Sequence, residues 1–175
     1  MSALDTPGAI VQHAYTVADI ESAALEQTRT SGIGPWFLRG PFTPPQARYR
    51  GAPSTATFTL ARAFLGPVMV ELIQQHGDEP SVFRERPLGL HHWATMPADF
   101  DAELARLHAL GFESAFEDVL PTGARITYVD TRPSLRDARA GRADTRPARL
   151  LRAHPCGVDR LERRGPAPRG LASRA

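Results

Sequence analysis

The chain has 175 residues, which is enough for one ordinary domain or for two small modules that share a core. No apolar run approaches the roughly 20 residues that span a bilayer, so composition favours a soluble, cytoplasmic protein without a membrane partner. The single cysteine, Cys156, excludes an intrachain disulfide and a thiolate-rich metal site.

The formal charge of +2 hides an asymmetry along the chain. Residues 1–135 carry 10 Arg against 15 Asp and Glu, a net charge of −5, whereas residues 136–175 carry 11 Arg against 4 acids, a net charge of +7. The basic segment has no aromatic residue and is rich in Arg, Ala, Pro and Gly. Because such a composition offers little core, we predict that residues 136–175 form a disordered tail.

Two interpretations of this tail remain open. An arginine-rich arm could bind nucleic acid or an acidic partner, but the tail has no aromatic residues for base stacking, and we expect no nucleic-acid partner. The whole chain also lacks Lys and Asn, whose codons are A-rich. A GC-rich gene read in a shifted frame yields mostly Arg, Ala, Pro and Gly, and composition favours this second interpretation.

The amino-terminal part of the chain predicts a βαβββ unit. After a leader over residues 1–8, the β-branched and apolar residues 10–17 indicate a strand. A helix is predicted to begin after the N-cap residue Asp19 and to end at Gly32. Three further strands are predicted over residues 36–38, 55–63 and 68–73. The first module therefore spans residues 9–75.

A second, similar unit follows a polar linker at residues 76–87. A strand over residues 88–95 leads to a helix that begins at Pro97 or Asp99 and ends at Gly111, and two strands follow, over residues 112–119 and 125–130. A third strand should come after residue 135, but residues 136–141 read Arg-Asp-Ala-Arg-Ala-Gly. We therefore predict that this second module, residues 88–135, lacks its closing strand.

The spacing of the two units indicates a repeat. His92 follows His13 at the same interval at which Gly111 follows Gly32. Two copies of one supersecondary unit explain why the two intervals are equal.

Three polar residues stand inside otherwise apolar predicted strands: His13, Glu71 and His92. A buried polar group needs a hydrogen-bond partner or an ion, and two imidazoles with one carboxylate suit Zn, Fe, Co, Ni or Mn. The alternative is that each residue makes an ordinary hydrogen bond at a strand end. Adjacent strand side chains point to opposite faces, so His91 is expected under the helix or at the sheet rim, and the common interval selects His92 for the cleft.

Five short motifs follow one another along the chain: His13-Ala14-Tyr15, Gly32-Ile33-Gly34-Pro35-Trp36, Val70-Glu71-Leu72-Ile73, Gly89-Leu90-His91-His92 and Tyr128-Val129-Asp130-Thr131. In this order and spacing they resemble the glyoxalase, bleomycin-resistance and extradiol-dioxygenase superfamily, also called vicinal oxygen chelate (VOC) proteins. The likeness covers about residues 9–135. The Gly-Leu-His-His and Gly-Pro-Trp segments look most like the glyoxalase-like branch that includes methylmalonyl-CoA epimerase.

The resemblance implies an α+β fold in which paired βαβββ modules form an open, cupped mixed sheet around a divalent metal ion. It carries three metal ligands onto His13, Glu71 and His92. The fourth ligand in the epimerase and glyoxalase enzymes is a glutamate on the last strand, and the matching position here is Gly141. The resemblance also implies a homodimer, which an unpaired sheet edge at residues 125–130 would favour.

With the resemblance, these residues predict a divalent-metal-dependent isomerase or lyase that transfers a proton next to a carbonyl group, with Glu71 as the catalytic carboxylate. The expected substrate is an acyl-CoA thioester or an α-keto adduct, and the missing glutamate predicts weak metal binding and impaired activity. One alternative is an extradiol-type Fe(II) dioxygenase, which uses two histidines and one glutamate. Another is a non-catalytic small-molecule binding protein of the bleomycin-resistance type.

Overall fold

The structure is a computed structural model that describes residues 8–132, 139–143 and 160–161. Most of the predicted leader, residues 1–8, lies outside these described residues. The same holds for most of the predicted tail, residues 136–175. The first unit contains β1 (Ile10–Thr16), α1 (Ile20–Ser31), β2 (Trp36–Phe42), β3 (Arg48–Tyr49), β4 (Ala52–Pro53), β5 (Thr57–Leu65) and β6 (Val68–His76). The second contains β7 (Gly89–Thr95), α2 (Phe100–Ala109), β8 (Ser114–Val119), β9 (Arg125–Val129) and β10 (Arg139–Ala143), and a short β11 (Arg160–Leu161) follows.

Within the described residues all strands join one mixed sheet, in the order β11-β2-β5-β6-β1-β7-β10-β9-β8-β3-β4. The two units meet at its centre, where β1 pairs with β7 in antiparallel fashion. In each unit the opening strand runs parallel to the closing strand, β1 with β6 and β7 with β10. The predicted α+β fold of paired units around a mixed sheet is therefore confirmed.

The two helices begin as the sequence predicts. Asp19 caps α1 by accepting a hydrogen bond from the Ser22 backbone N–H at 2.8 Å, and Asp99 caps α2 through the Ala102 N–H at 2.9 Å. Helix α1 ends at Gly32, whose φ of 68° is the left-handed conformation that glycine adopts without a steric penalty. These caps fix where each helix starts relative to the strand before it.

The sheet has a helix face and an inner face. Helix α1 packs on the helix face, where Ile20 and Ala24 meet Trp36, Val70 and Leu72. The inner face carries a second cluster with the following buried rings and side chains from both units: Phe58, Ile73, Phe83, Phe116 and Tyr128. Strands β5 and β8 share this cluster although five strands separate them in the sheet, so the sheet curls around the inner face.

The second unit closes with a short strand, β10, after residue 135, where the sequence carries no strand pattern. Strand β10 lies between β7 and β9 and bonds to both. The main-chain N–H and C=O groups of those two strands can pair with any extended segment, whatever its side chains. With five residues against nine in β6, the strand is still the shorter of the two, and the second unit remains less complete than the first.

Two further features differ from the sequence prediction. Strand β9 is paired on both sides, so residues 125–130 do not form the free sheet edge that would favour pairing with another chain. The linker at residues 76–87 is also more than a polar connector, because a 3₁₀ turn at Val82–Arg84 buries Val82 and Phe83 in the inner cluster.

The sequence does not predict the hairpin of β3 and β4. It belongs to the first unit, but β3 pairs with β8 of the second unit. Arg50, at its turn, donates hydrogen bonds to Glu85 at 2.9 Å and to Asp130 at 3.0 Å. Among the described residues no helix is long and apolar enough to cross a membrane.

Candidate functional site

The candidate site is built around Glu71, a carboxylate in the middle of β6 whose residue is only 3% exposed. Arg62 lies directly opposite on β5 and donates from Nε to Glu71 Oε1 at 2.6 Å. Burial alone would lower the pKa of Arg62, but the charge and hydrogen bond of Glu71 outweigh it, and the pKa of Arg62 is raised. This ion pair compensates for burying the carboxylate.

Gln12 joins Glu71 to His92. Its Nε2 amide donates to Glu71 Oε2 at 2.8 Å and lies 3.4 Å from Nε2 of His92. These three side chains come from adjacent strands β6, β1 and β7, which the sheet order places side by side. Of the three residues predicted from sequence, the structure brings Glu71 and His92 to one site and places Gln12 between them.

His13 lies on the other face of β1. Its neighbour Gln12 bonds to Glu71 on the inner face, whereas Tyr15, two positions beyond His13, packs with the helix-face cluster. Because side chains alternate along a strand, His13 shares the face of Tyr15. In the described part of the chain, no three His, Cys, Asp or Glu side chains lie close enough together to hold a metal ion. The structure thus does not bring His13 to Glu71 and His92.

The two helices explain why Gln12, one residue before His13, is the residue that matches His92. The N-cap Asp99 follows the N-cap Asp19 at the same interval at which His92 follows Gln12. The interval from Gly32 to Gly111 is shorter by one, because α2 is shorter than α1. The start of each helix fixes the position of the strand that precedes it. The spacing of the two N-caps therefore could have identified Gln12, rather than His13, as the residue that matches His92.

His91 and His92 both lie on the inner face, contrary to the alternation expected from sequence. The register of β7 against β1 shifts here, since Ala14 faces His92 and Tyr15 faces Leu90, which leaves His91 as the extra residue of a β-bulge. Each residue is 1% exposed, and their Nδ1 atoms lie 2.9 Å apart. His91 is therefore neither under the helix nor at the rim.

The ring of Tyr128 packs against the ring of His92. The two rings lie 4.3 Å apart between centroids and are tilted by 37°. Burial raises the pKa of Tyr128, and the negative charges of Glu71 and Asp118 raise it further, with an opposing effect from Arg62. The hydroxyl therefore stays protonated and can act as a hydrogen-bond donor.

Asp118 is a second buried carboxylate on the inner face. It pairs with Ile126 in the register of β8 against β9, next to the strand position of Tyr128, and its residue is 9% exposed. Its Oδ1 atom has no hydrogen-bond partner among the described residues. Burial raises the pKa of Asp118, against weaker effects of the Val119 backbone N–H and of the Arg39 charge. Its environment is that of a carboxyl group able to hold a proton.

The second unit has no counterpart of Glu71. Ala14 faces Glu71 across β1 and β6, and the matching pair in the second unit is Ala94 with Gly141 across β7 and β10. The sequence prediction that residue 141 takes this position agrees with the observed register.

The sequence analysis does not include Arg62, although a signal for it exists. The turn at Gly66 and Pro67 sets Leu65 opposite Val68, and counting back along that hairpin places Arg62 opposite Glu71. Tyr128 and Asp118 carry no comparable signal, because their place on the inner face depends on the curl of the sheet.

A family model matches residues 11–129, and its description is Glyoxalase/Bleomycin resistance protein/Dioxygenase superfamily. No curated protein matches the sequence.

Solved structures with the same fold include a hypothetical protein from Bacillus halodurans, at a TM-score of 0.59 and 13% identity, covering 78% of this chain and 93% of that chain. The methylmalonyl-CoA epimerase of Streptomyces coelicolor, in complex with 2-nitronate-propionyl-CoA, gives 0.57 and 14% identity over 78% and 93% of the two chains. The methylmalonyl-CoA epimerase of Mycobacterium tuberculosis gives 0.54 and 18% identity over 82% and 91%. At such identities these likenesses concern the fold alone.

Proposed function

Because the chain belongs to the glyoxalase/bleomycin resistance protein/dioxygenase superfamily, we propose that it is a divalent-metal-dependent isomerase or lyase that moves a proton next to a carbonyl group. The observation that carries this proposal is the convergence of Glu71, His92 and Gln12 on one point of the inner face.

The donor set at this point fits a divalent cation. A carboxylate oxygen of Glu71 and an imidazole nitrogen of His92 both lie within hydrogen-bond reach of one Gln12 amide group, and a cation attracts the same two atoms. Turning the amide over presents the Gln12 Oε1 oxygen as a third ligand. Glu71, His92 and Gln12 would thus hold the ion, in place of the set with His13. When bound, the ion would supply Lewis-acid polarisation of a carbonyl oxygen.

The chain's own carboxylates would move the proton. Glu71 is the proposed proton acceptor, and the hydrogen bond from Arg62 Nε holds its carboxylate in position. An epimerisation also needs a group that returns the proton on the other face of the carbon. Asp118 suits this role, because burial raises its pKa and its Oδ1 atom has no hydrogen-bond partner among the described residues. Burial raises the pKa of Tyr128, and the negative charges of both carboxylates add to that rise.

An acyl-CoA thioester is the substrate class we propose, with an α-keto adduct as the second choice. The chemistry of the site supports this choice of substrate class, because it suits a carbonyl compound with an acidic α-proton. The epimerases of similar fold are described in complex with methylmalonyl-CoA or 2-nitronate-propionyl-CoA.

The test is α-proton exchange of methylmalonyl-CoA in heavy water, followed by mass spectrometry with Zn, Co, Ni, Mn or Fe added singly. We expect metal-dependent deuterium uptake that falls at least about 100-fold in Glu71→Gln and about 10-fold or more in Asp118→Asn. The control is His108→Ala, which alters an exposed histidine on α2 whose only polar contact among the described residues is with Ser114 of β8. Absence of exchange, together with less than about a tenth of an equivalent of bound metal, would overturn the proposal.

A second candidate, non-catalytic binding of a small molecule, is favoured by the ring cluster. Phe83 contacts Phe58 at 5.0 Å and Tyr128 at 6.0 Å between centroids, so a cluster of buried aromatic rings lies on the inner face beside Tyr128. Binding of an aromatic ligand without turnover and without metal would support this candidate. No observation favours the dioxygenase alternative, since His13 and His92 lie on opposite faces of the sheet.

A further inference from the structure

Two adjacent histidines form a hydrogen-bonded chain that starts at the main chain of the 3₁₀ turn. His91 Nε2 lies 3.1 Å from the carbonyl oxygen of Val82. Its other nitrogen, Nδ1, lies 2.9 Å from Nδ1 of His92, and Nε2 of His92 lies 3.4 Å from the Gln12 amide. The chain therefore leads from Val82 through both imidazoles to the candidate metal site.

The positions of the protons in this hydrogen-bonded chain follow from its first group, the Val82 carbonyl. A carbonyl oxygen can only accept, so Nε2 of His91 must carry the hydrogen in the bond to Val82. A neutral imidazole has one donor and one acceptor nitrogen, so Nδ1 of His91 accepts from Nδ1–H of His92. Nε2 of His92 then carries the lone pair and faces the Gln12 amide and the Glu71 side of the site.

The surroundings of His91 favour its neutral form. The residue is 1% exposed, and its ring lies 4.9 Å from that of Phe83 and 6.2 Å from that of Tyr128 between centroids. A charged imidazolium enclosed by such rings would be costly. With neutral rings, these contacts place the proton of His91 on Nε2 and that of His92 on Nδ1.

We propose that His91 is a positioning residue that holds His92 in the tautomer with a lone pair on Nε2. The bulge in β7 makes this possible, since only an extra residue lets two consecutive side chains share the inner face. The assignment of that lone pair to a metal ion rests on the proposed function, whereas the tautomer itself does not. A hydrogen bond that fixes the tautomer of a ligating histidine is known to strengthen metal binding.

The test is nitrogen NMR of the metal-free protein with isotope-labelled histidine, which distinguishes a protonated Nδ1 from a protonated Nε2. In the unmodified protein we expect His92 to carry its proton on Nδ1. In His91→Phe, which keeps a ring but removes both nitrogens, we expect the His92 proton to be found on Nε2 in a substantial fraction of molecules. Zinc affinity, measured by calorimetry, should fall by about 10-fold or more.

A rescue variant and a control separate positioning from packing. His91→Asn places an amide oxygen near the position of Nδ1, so it should restore the His92 tautomer even if it packs less well. His108→Phe removes an exposed histidine and should leave the His92 signals unchanged. A His92 proton on Nε2 in the unmodified protein, a doubly protonated His91, or an unchanged His92 tautomer in His91→Phe would each overturn the proposal. Should His91→Phe fail to fold, the measurement on the unmodified protein still decides.

The outcome is distinguishable from failure of the proposed function. If His92 shows the expected tautomer but the protein binds no zinc, the metal-dependent function fails and the positioning role of His91 stands. If zinc binds but His92 carries its proton on Nε2 in the metal-free protein, the positioning role fails alone.

Discussion

The two βαβββ units begin alike and end differently. Each opens with a strand that leads to an Asp-capped helix, and Gln12 and His92 occupy matching places relative to those caps. The first unit closes with the nine-residue β6, which carries Glu71, whereas the second closes with the five-residue β10, which carries Gly141 at the matching position. The comparison shows that the same strand pairing closes both units, although only the first carries an acidic side chain at this register position.

The largest effect is expected from removing the acid that distinguishes the first unit. Glu71→Gln leaves Arg62 without its ion pair, and since the Arg62 side chain is 33% exposed, water offsets part of the loss. We expect the free energy of unfolding to fall by about 1–2 kcal/mol and metal binding to be lost. Urea denaturation and calorimetry measure the two effects. Glu113→Gln, just before β8 and outside the site, is the matched control and should change neither. Equal unfolding free energies and equal metal binding in the Glu71→Gln and Glu113→Gln variants would contradict the role of Glu71.

The converse change would make the second unit resemble the first. Gly141→Glu places a carboxylate at the register position that corresponds to Glu71, so we expect metal affinity to rise by roughly 10-fold. Gly141→Gln is the neutral control and should give a smaller gain. Calorimetric titration with zinc compares the variants. No gain with Glu would show that the matching of β6 with β10 does not extend to the site.

A third experiment decides which residue of β1 matches His92. Gln12→Ala removes the amide that lies between Glu71 and His92, and metal affinity should fall by roughly 10-fold. His13→Ala alters the helix face and should leave metal affinity unchanged. If His13→Ala gave the larger loss, the glycine interval rather than the N-cap interval would relate the two units at the site, and the observed register of β1 would be wrong.

The smallest effect concerns Asp118 on β8, whose pKa is also influenced by Arg39 on β2. Burial raises the pKa of Asp118, so the folded protein binds its proton more readily than the unfolded chain does. Stability should therefore fall as the pH rises from the ordinary carboxyl range through the raised pKa of Asp118. Asp118→Asn should remove this fall, so the variant should be more stable than the original at neutral pH. Thermal unfolding across the acid-to-neutral range measures the difference, and identical pH profiles would contradict the prediction.

Much of the fold could be predicted from local signals. The Asp caps, the terminating glycines and the apolar runs locate both helices and most strands, because each signal depends on neighbouring residues only. Strand β10 and the β3–β4 hairpin escape prediction because non-local pairing forms them, and their side chains carry no strand pattern. Helix α2 ends at Ala109, two residues before the predicted end at Gly111, and the apolar Leu110 that follows it is 61% exposed.

The site was predictable only in part, for a similar reason. Glu71 and His92 stand out as polar residues in apolar strands, and the structure brings both to Gln12. The choice between Gln12 and His13 depends on a single step of register, which reverses every side chain of a strand. The bulge that turns His91 inward is likewise invisible in a period-two pattern, because it interrupts that pattern.

The hairpin of β3 and β4 has a consequence for how this chain could be divided. Because β3 pairs with β8, and Arg50 bonds to Glu85 and Asp130, the amino-terminal half reaches around to the far end of the sheet. Cleavage between β6 and β7 would therefore produce two fragments that remain associated. Separately expressed halves of this protein should reassemble by fragment complementation, and neither half should be stable alone.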